Sequence, residues 1–142
     1  VLITIDTLRA DRVGPYGGAP AIAPTLVALA RRGVTFLDAT AHAPLTLPSH
    51  GSILTGRYPP AHGVRDNGGF PLPETIVTLA ERLRDAGYHT SAFVSSFVLA
   101  RPSGLAQGFE LYVDRFDTRR AHVTLSALER PGPPISVYRL KE

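Results

Sequence analysis

The run Thr46-Leu47-Pro48-Ser49-His50-Gly51-Ser52-Ile53-Leu54-Thr55-Gly56-Arg57-Tyr58-Pro59-Pro60 organises the chain. Pro48 fits the first turn of a helix, where its missing N–H has no partner to lose, and Gly56 is suited to end that helix in a left-handed conformation. Thr46 is then presented at the positive end of the helix. Backbone N–H groups there attract anions and ease ionisation of a neighbouring hydroxyl, so Thr46 is a candidate nucleophile toward a phosphate or sulfate ester. The local chemistry is equally that of an ordinary capped surface helix.

Upstream, residues 1–5 form a continuous apolar, β-branched run, as expected of a central parallel strand covered on both faces. The run stops at Asp6, where an open α/β sheet places its ligands. Asp6 is thus placed either to hold a metal or to cap the following turn. Asp11 reads as structural, paired with Arg9 or Arg12. After loop chemistry at Gly14, Gly17 and Gly18, a helix is expected from Pro24, with Leu26, Leu29 and Ala30 on one face and Gly33 as its stop. Residues 34–39 read as a second strand. A helix starting at Pro73 and Glu74 carries Ile76, Leu79, Ala80 and Leu83 at spacings of three and four and stops at Gly87. Residues 88–94 then give a third strand, and 97–106 a loop or short helix. Arg130 to Pro134 breaks any regular element, leaving residues 135–140 as an edge strand or nothing.

Several of these words occur together in one family. Val1 to Arg12, Gly14-Pro15-Tyr16-Gly17, Pro24-Thr25-Leu26, Gly33 to Phe36, the run from Thr46, His62-Gly63-Val64, Gly87 to Thr90 and Gly108-Phe109-Glu110 resemble, in order, the N-terminal half of the sulfatase family, within the alkaline-phosphatase-like superfamily. The resemblance implies an α/β fold, a mostly parallel sheet flanked by helices, incomplete in this chain. It covers residues 1–117, with 118–142 as a divergent Pro- and Arg-rich tail.

What the resemblance implies for chemistry is specific. Asp6 becomes the first metal-binding Asp, and Thr46 a second metal-binding group as well as the nucleophile. The cation is divalent, Ca2+ by resemblance, with Mg2+, Mn2+ or Zn2+ as alternatives. Thr7 stands where many relatives have a second Asp. The family's Cys/Ser-x-Pro-x-Arg motif becomes Thr46-x-Pro48-x-His50, so formylglycine is not available at Thr46. His50 replaces an Arg, and at four residues from Thr46 it is a candidate hydrogen-bond partner, proton acceptor or ligand. His62 is expected to shape the return loop, and Asn67 sits in a turn over residues 65–69 from which it could lean towards the site. Val94-Ser95-Ser96-Phe97 occupies the place of a Gly-Lys-Trp-His run and carries neither Lys nor His. A Thr nucleophile is similar to the phosphodiesterase and phosphotransferase branches, so a phosphate or phosphonate ester competes with a sulfate ester. The other metal ligands, an Asp-His or Asp-Asn pair, belong to the family's second half and have no counterpart here. The two readings are therefore the N-terminal portion of a metal-dependent sulfatase-like hydrolase, or an inactive fragment with a structural or binding role.

Composition bounds the partners. The chain has 142 residues, 44% hydrophobic and 19% charged, enough for one domain. The net charge of +3 comes entirely from the tail, since residues 1–114 hold nine Arg and nine acidic residues. With no basic stripe and no aromatic interleaving, a nucleic-acid surface is not expected. The expected substrate is a small-molecule or glycan ester. There is no cysteine, so no disulfide framework exists. No apolar run is long enough for a membrane span. Val1 opens directly into the expected strand without a Met or signal-like segment, so the start is expected upstream; the resemblance allows a periplasmic or extracellular setting. No feature sets an oligomeric state.

Overall fold

The computed structural model describes residues 1–115. The proposed boundary at residue 117, the proline-rich break and the strand expected over 135–140 lie outside these residues.

Four helices and one two-stranded sheet make up the regular structure of the described residues, joined by short 3-10 turns. Helix α1, Pro24–Arg32, has Pro24 in its first turn, as expected, and Arg31 and Arg32 at its negative end. It packs on the 3-10 turn Gly14–Tyr16, where Gly14 lets Val27 approach the backbone so closely that a Cβ would clash with it. Arg9 holds Asp11 through a two-toothed contact at 2.9 and 2.6 Å, fully on the surface, which fits the structural role expected of Asp11.

Helix α2, Thr46–Thr55, forms as expected and ends on Gly56 at φ 67°, whose N–H donates to the Ser52 carbonyl. A side chain there would be strained, so the helix stops where glycine permits the left-handed turn. The one-turn helix α3, Pro59–His62, follows directly and lies across α2.

Helix α4, Leu79–Asp85, begins five residues later than the periodicity predicts. Thr78 accounts for the difference. Its hydroxyl accepts from the Glu81 N–H while the Glu81 carboxylate accepts from the Thr78 N–H, a capping box that fixes the start of the helix. The Thr78 hydroxyl is fully buried and also reaches the Gln107 carbonyl, tying the helix start to a distant loop. At the other end the Gly87 N–H bonds the Arg84 carbonyl and the Tyr88 N–H the Leu83 carbonyl, the paired bonds of a Schellman turn.

Strands β1, Ser91–Phe93, and β2, Leu111–Val113, pair in parallel with Ser91 opposite Leu111. This is the parallel α/β arrangement expected, in small. β1 is the core of the strand expected over 88–94, whereas β2 is too short for its alternation to be read from sequence. Two expected strands do not form. Residues 1–5 and 34–39 join no sheet, and Ile3, Val34 and Leu37 are each at least 77% exposed. A parallel strand needs partner strands on its hydrogen-bonding edges, and among the described residues the one sheet pairs β1 with β2 alone.

The core is Leu47, Val64, Leu72, Leu99 and Leu105, with Leu54, Ile76, Val94 and Val98 packed against it. Leu47 comes from the first turn of α2, so the start of that helix is anchored in the core.

Candidate active site

Three segments meet at the N-terminal end of α2. The N-terminal segment passes beside it, so that the Thr46 hydroxyl lies 3.2 Å from an Asp6 carboxylate oxygen and donates to it. Two positions before Asp6, the Thr4 hydroxyl is 3.0 Å from His50 Nε2. The other ring nitrogen, Nδ1, is 2.7 Å from the Thr46 carbonyl oxygen, one turn back on the same helix. A carbonyl only accepts, so Nδ1 carries the proton, and in the neutral ring Nε2 accepts from the Thr4 hydroxyl. His50 thus contacts the backbone of Thr46 and pins residue 4, while the hydroxyl of Thr46 faces Asp6.

Thr7, next to Asp6, has φ 54°, the only non-glycine residue with positive φ among the described residues. A β-branched side chain is strained there by about 1–3 kcal/mol, and such outliers gather at sites where geometry is enforced. The sequence marked Thr7 only as a missing acid.

The third segment is the turn after α3. Leu45, at the N-cap of α2, offers no side-chain acceptor. That role passes to Asn67, whose Oδ1 accepts from the Leu47 N–H at 2.9 Å across twenty residues. Pro48 has no N–H, so the helix start is satisfied at these positions by one remote side chain and one imino acid. The sequence placed Asn67 in a turn; no local pattern indicates a cap supplied from so far along the chain.

Behind α2, His62 is 1% exposed. Its Nδ1 accepts from the Val64 N–H at 3.2 Å, so Nε2 bears the proton and donates to Ser52 Oγ at 3.1 Å. With its proton committed in that direction, the ring does not serve as a base toward Ser52. Burial pushes its pKa below the ordinary value. Gly51 makes this packing possible, since a Cβ at residue 51 would stand 2.9 Å from His62 Cε1. His62 therefore shapes the return from α2, as its position in the sequence suggests.

The metal expected at Asp6 and Thr46 does not find a full ligand set here. Among the described residues no three His, Asp or Glu side chains converge to hold an ion. One carboxylate and neighbouring hydroxyls fall short of the roughly six oxygens a hard cation takes.

The matching family model decides the assignment. The model described as "Sulfatase" matches residues 1–126. This chain belongs to the sulfatase family. Relatives within the sulfatases include a mouse steryl-sulfatase, 40% identical over 101 residues that are 64% of this chain and 16% of the relative. A delta 4,5-hexuronate-2-O-sulfatase of Bacteroides thetaiotaomicron is 32% identical over 97 residues, 66% of this chain and 20% of that protein. A choline-sulfatase of Rhizobium meliloti is 35% identical over 92 residues, 64% and 18% respectively. The chain thus spans between 16% and 20% of the length of these sulfatases. No solved structure matches it. Among the described residues no helix is long and apolar enough to cross a membrane.

Proposed function

We propose that the chain supplies the nucleophile half of a sulfuric ester hydrolase, with Thr46 as nucleophile and Asp6 as its proton acceptor. The observation that carries this is the bond from the Thr46 hydroxyl to the Asp6 carboxylate, at the positive end of a core-anchored helix. Thr46 Oγ attacks the sulfur of R–O–SO3−, its proton passes to Asp6, and the S–OR bond breaks as the leaving oxygen takes a proton from solvent. Water then attacks the sulfur of the Thr46 sulfate ester and gives up a proton to solvent. The S–Oγ bond breaks as Asp6 returns its proton to Thr46 Oγ, and inorganic sulfate and a free Thr46 are regenerated. The helix end favours the negative charge of the transferring group. His50 holds the backbone of Thr46 and the Thr4 segment in register, so the two reacting oxygens stay in contact.

Asp6 and Thr46 are also the two oxygens this chain offers to a divalent cation, which would neutralise charge on the transferring oxygens. Because that set is incomplete among the described residues, no step above is routed through it. The Thr-x-Pro-x-His wording and the lack of Lys and His in Val94-Ser95-Ser96-Phe97 keep a phosphate or phosphonate ester as the competing substrate class.

The test is turnover of an aryl sulfate and an aryl phosphodiester by the intact protein, beside Thr46→Ala. Loss of turnover in the variant supports the reading, and the preferred ester names the class. The short ligand set favours a second reading, an inactive fragment without a formed metal site and with a structural or binding role only. A rise in melting temperature with added Ca2+ or Mn2+ in the 142-residue chain would count against it.

A further inference from the structure

The segment that brings Asp6 to Thr46 changes course immediately afterwards. Thr4 and Asp6, two positions apart, both reach α2, Thr4 at His50 Nε2 and Asp6 at the Thr46 hydroxyl. Alternate residues of an extended chain face one way. Continued straight, the segment would turn Leu8 to the same side as Asp6 and lay a bulky apolar side chain against the Thr46 end of the helix. Instead Asp6 and Thr7 form a tight turn, and Leu8 stands 48% exposed.

That turn contains an unfavourable residue. Thr7 has φ 54° while Asp6 has no positive φ, the sign pattern of a type II turn, whose second central position favours Gly or Asn. A β-branched residue is strained there, because its Cβ crowds the backbone in the left-handed region. The Thr7 side chain is exposed, so no burial of its own offsets the strain. A strained residue persists only where its surroundings over-determine it. Here fixed points stand on both sides: the Thr4–His50 and Asp6–Thr46 bonds, and the Arg9–Asp11 pair that follows.

We infer that Thr7 is a positioning residue: its left-handed backbone, and not its hydroxyl, aims the Asp6 carboxylate at Thr46 and keeps Leu8 clear of the pair. The inference rests on Asp6 and Thr46 being the reacting pair, and the experiment separates the two.

Turnover of an aryl sulfate and an aryl phosphodiester by the intact protein is measured beside the NMR signal of the Thr46 methyl group in threonine-labelled protein, a signal that Asp6→Ala shifts. Thr7→Pro fixes φ near about −65° and cannot form the turn. Its kcat falls about 10²-fold or more with KM within about threefold, and its Thr46 signal moves as in Asp6→Ala. Thr7→Asn, which accepts the left-handed backbone, keeps kcat within about twofold and raises the melting temperature by about 1–3 °C. Thr7→Val keeps the shape of threonine without its hydroxyl, and keeps kcat and the Thr46 signal. Should Thr7→Pro fail to fold, Thr7→Gly permits the turn without enforcing it and lowers kcat severalfold. Unchanged kcat and Thr46 signal in Thr7→Pro, lost turnover in Thr7→Val, or no stabilisation in Thr7→Asn overturns the inference. Undiminished turnover in Asp6→Asn sinks the reacting pair, and the Thr46 signal still reports whether Thr7 aims Asp6. Turnover lost in Asp6→Asn yet kept in Thr7→Pro sinks the role of Thr7 alone.

Discussion

The hydroxyl of Thr46 and the carboxylate of Asp6 lie 3.2 Å apart, although forty residues separate them in the chain. Asp6→Asn keeps the size and removes the proton acceptor. We expect turnover of an aryl sulfate by the intact protein to fall about 10²–10⁴-fold. Because Asp6 is exposed, thermal melts of the variant should stay close to those of the parent. Thr46→Ser, which keeps the hydroxyl, should retain most of the turnover.

Asn67 caps α2 from a distance through the Leu47 N–H. Asn67→Ala leaves that half-buried donor unpaired and should cost about 0.5–2 kcal/mol, as loss of a cap does. Denaturant unfolding measures the loss, and hydrogen exchange should speed up at Leu47 before it does at residues near Thr55.

The contact between Gly51 and His62 leaves no room for a methyl group. Gly51→Ala raises intrinsic helix propensity, yet we expect net destabilisation of about 1–3 kcal/mol, because overpacking against a buried ring outweighs the propensity gain. The double variant Gly51→Ala with His62→Ala should recover part of it, measured by thermal denaturation.

His62 titrates below the ordinary imidazole value of 6.5 in the folded chain because burial disfavours its charged form. Below pH 6.5 the unfolded state then binds more protons than the folded one, so stability falls as pH drops from 6.5 toward the folded value. His89 acts in the opposite direction. Its bond to Glu110 raises its pKa, so that contribution is present below pH 6.5 and is lost as pH rises through the folded value. Melting temperatures taken between pH 5 and 8 should show the acid-side loss flatten in His62→Gln, whereas His89→Gln should flatten the loss at higher pH.

Much of the local structure was legible in the sequence because its causes are local. Pro24 and Gly33 mark α1, and Pro48 with Gly56 bounds α2, since a missing N–H and a helix-stopping glycine act within a few residues. The start of α4 was misplaced for a related reason. Apolar spacing from Ile76 onward favours a helix, but the Thr78–Glu81 capping box and the bond to Gln107 override it.

The apolar runs at 1–5 and 34–39 carry the composition of strands, and their composition did not make them strands. Pairing requires a neighbour, and sequence pattern reports a segment's preference without supplying its partner. The site divides in the same way. Asp6, Thr46 and His50 were identifiable from their place in a family motif, and the helix end that favours an anion follows from Pro48 and Gly56. That His50 reaches the Thr4 hydroxyl, that Asn67 replaces the missing N-cap, and that Thr7 is strained beside Asp6 were decided by tertiary structure. The contacts of His50 with Thr4 and of Asn67 with Leu47 join residues forty-six and twenty positions apart, over which no local pattern acts.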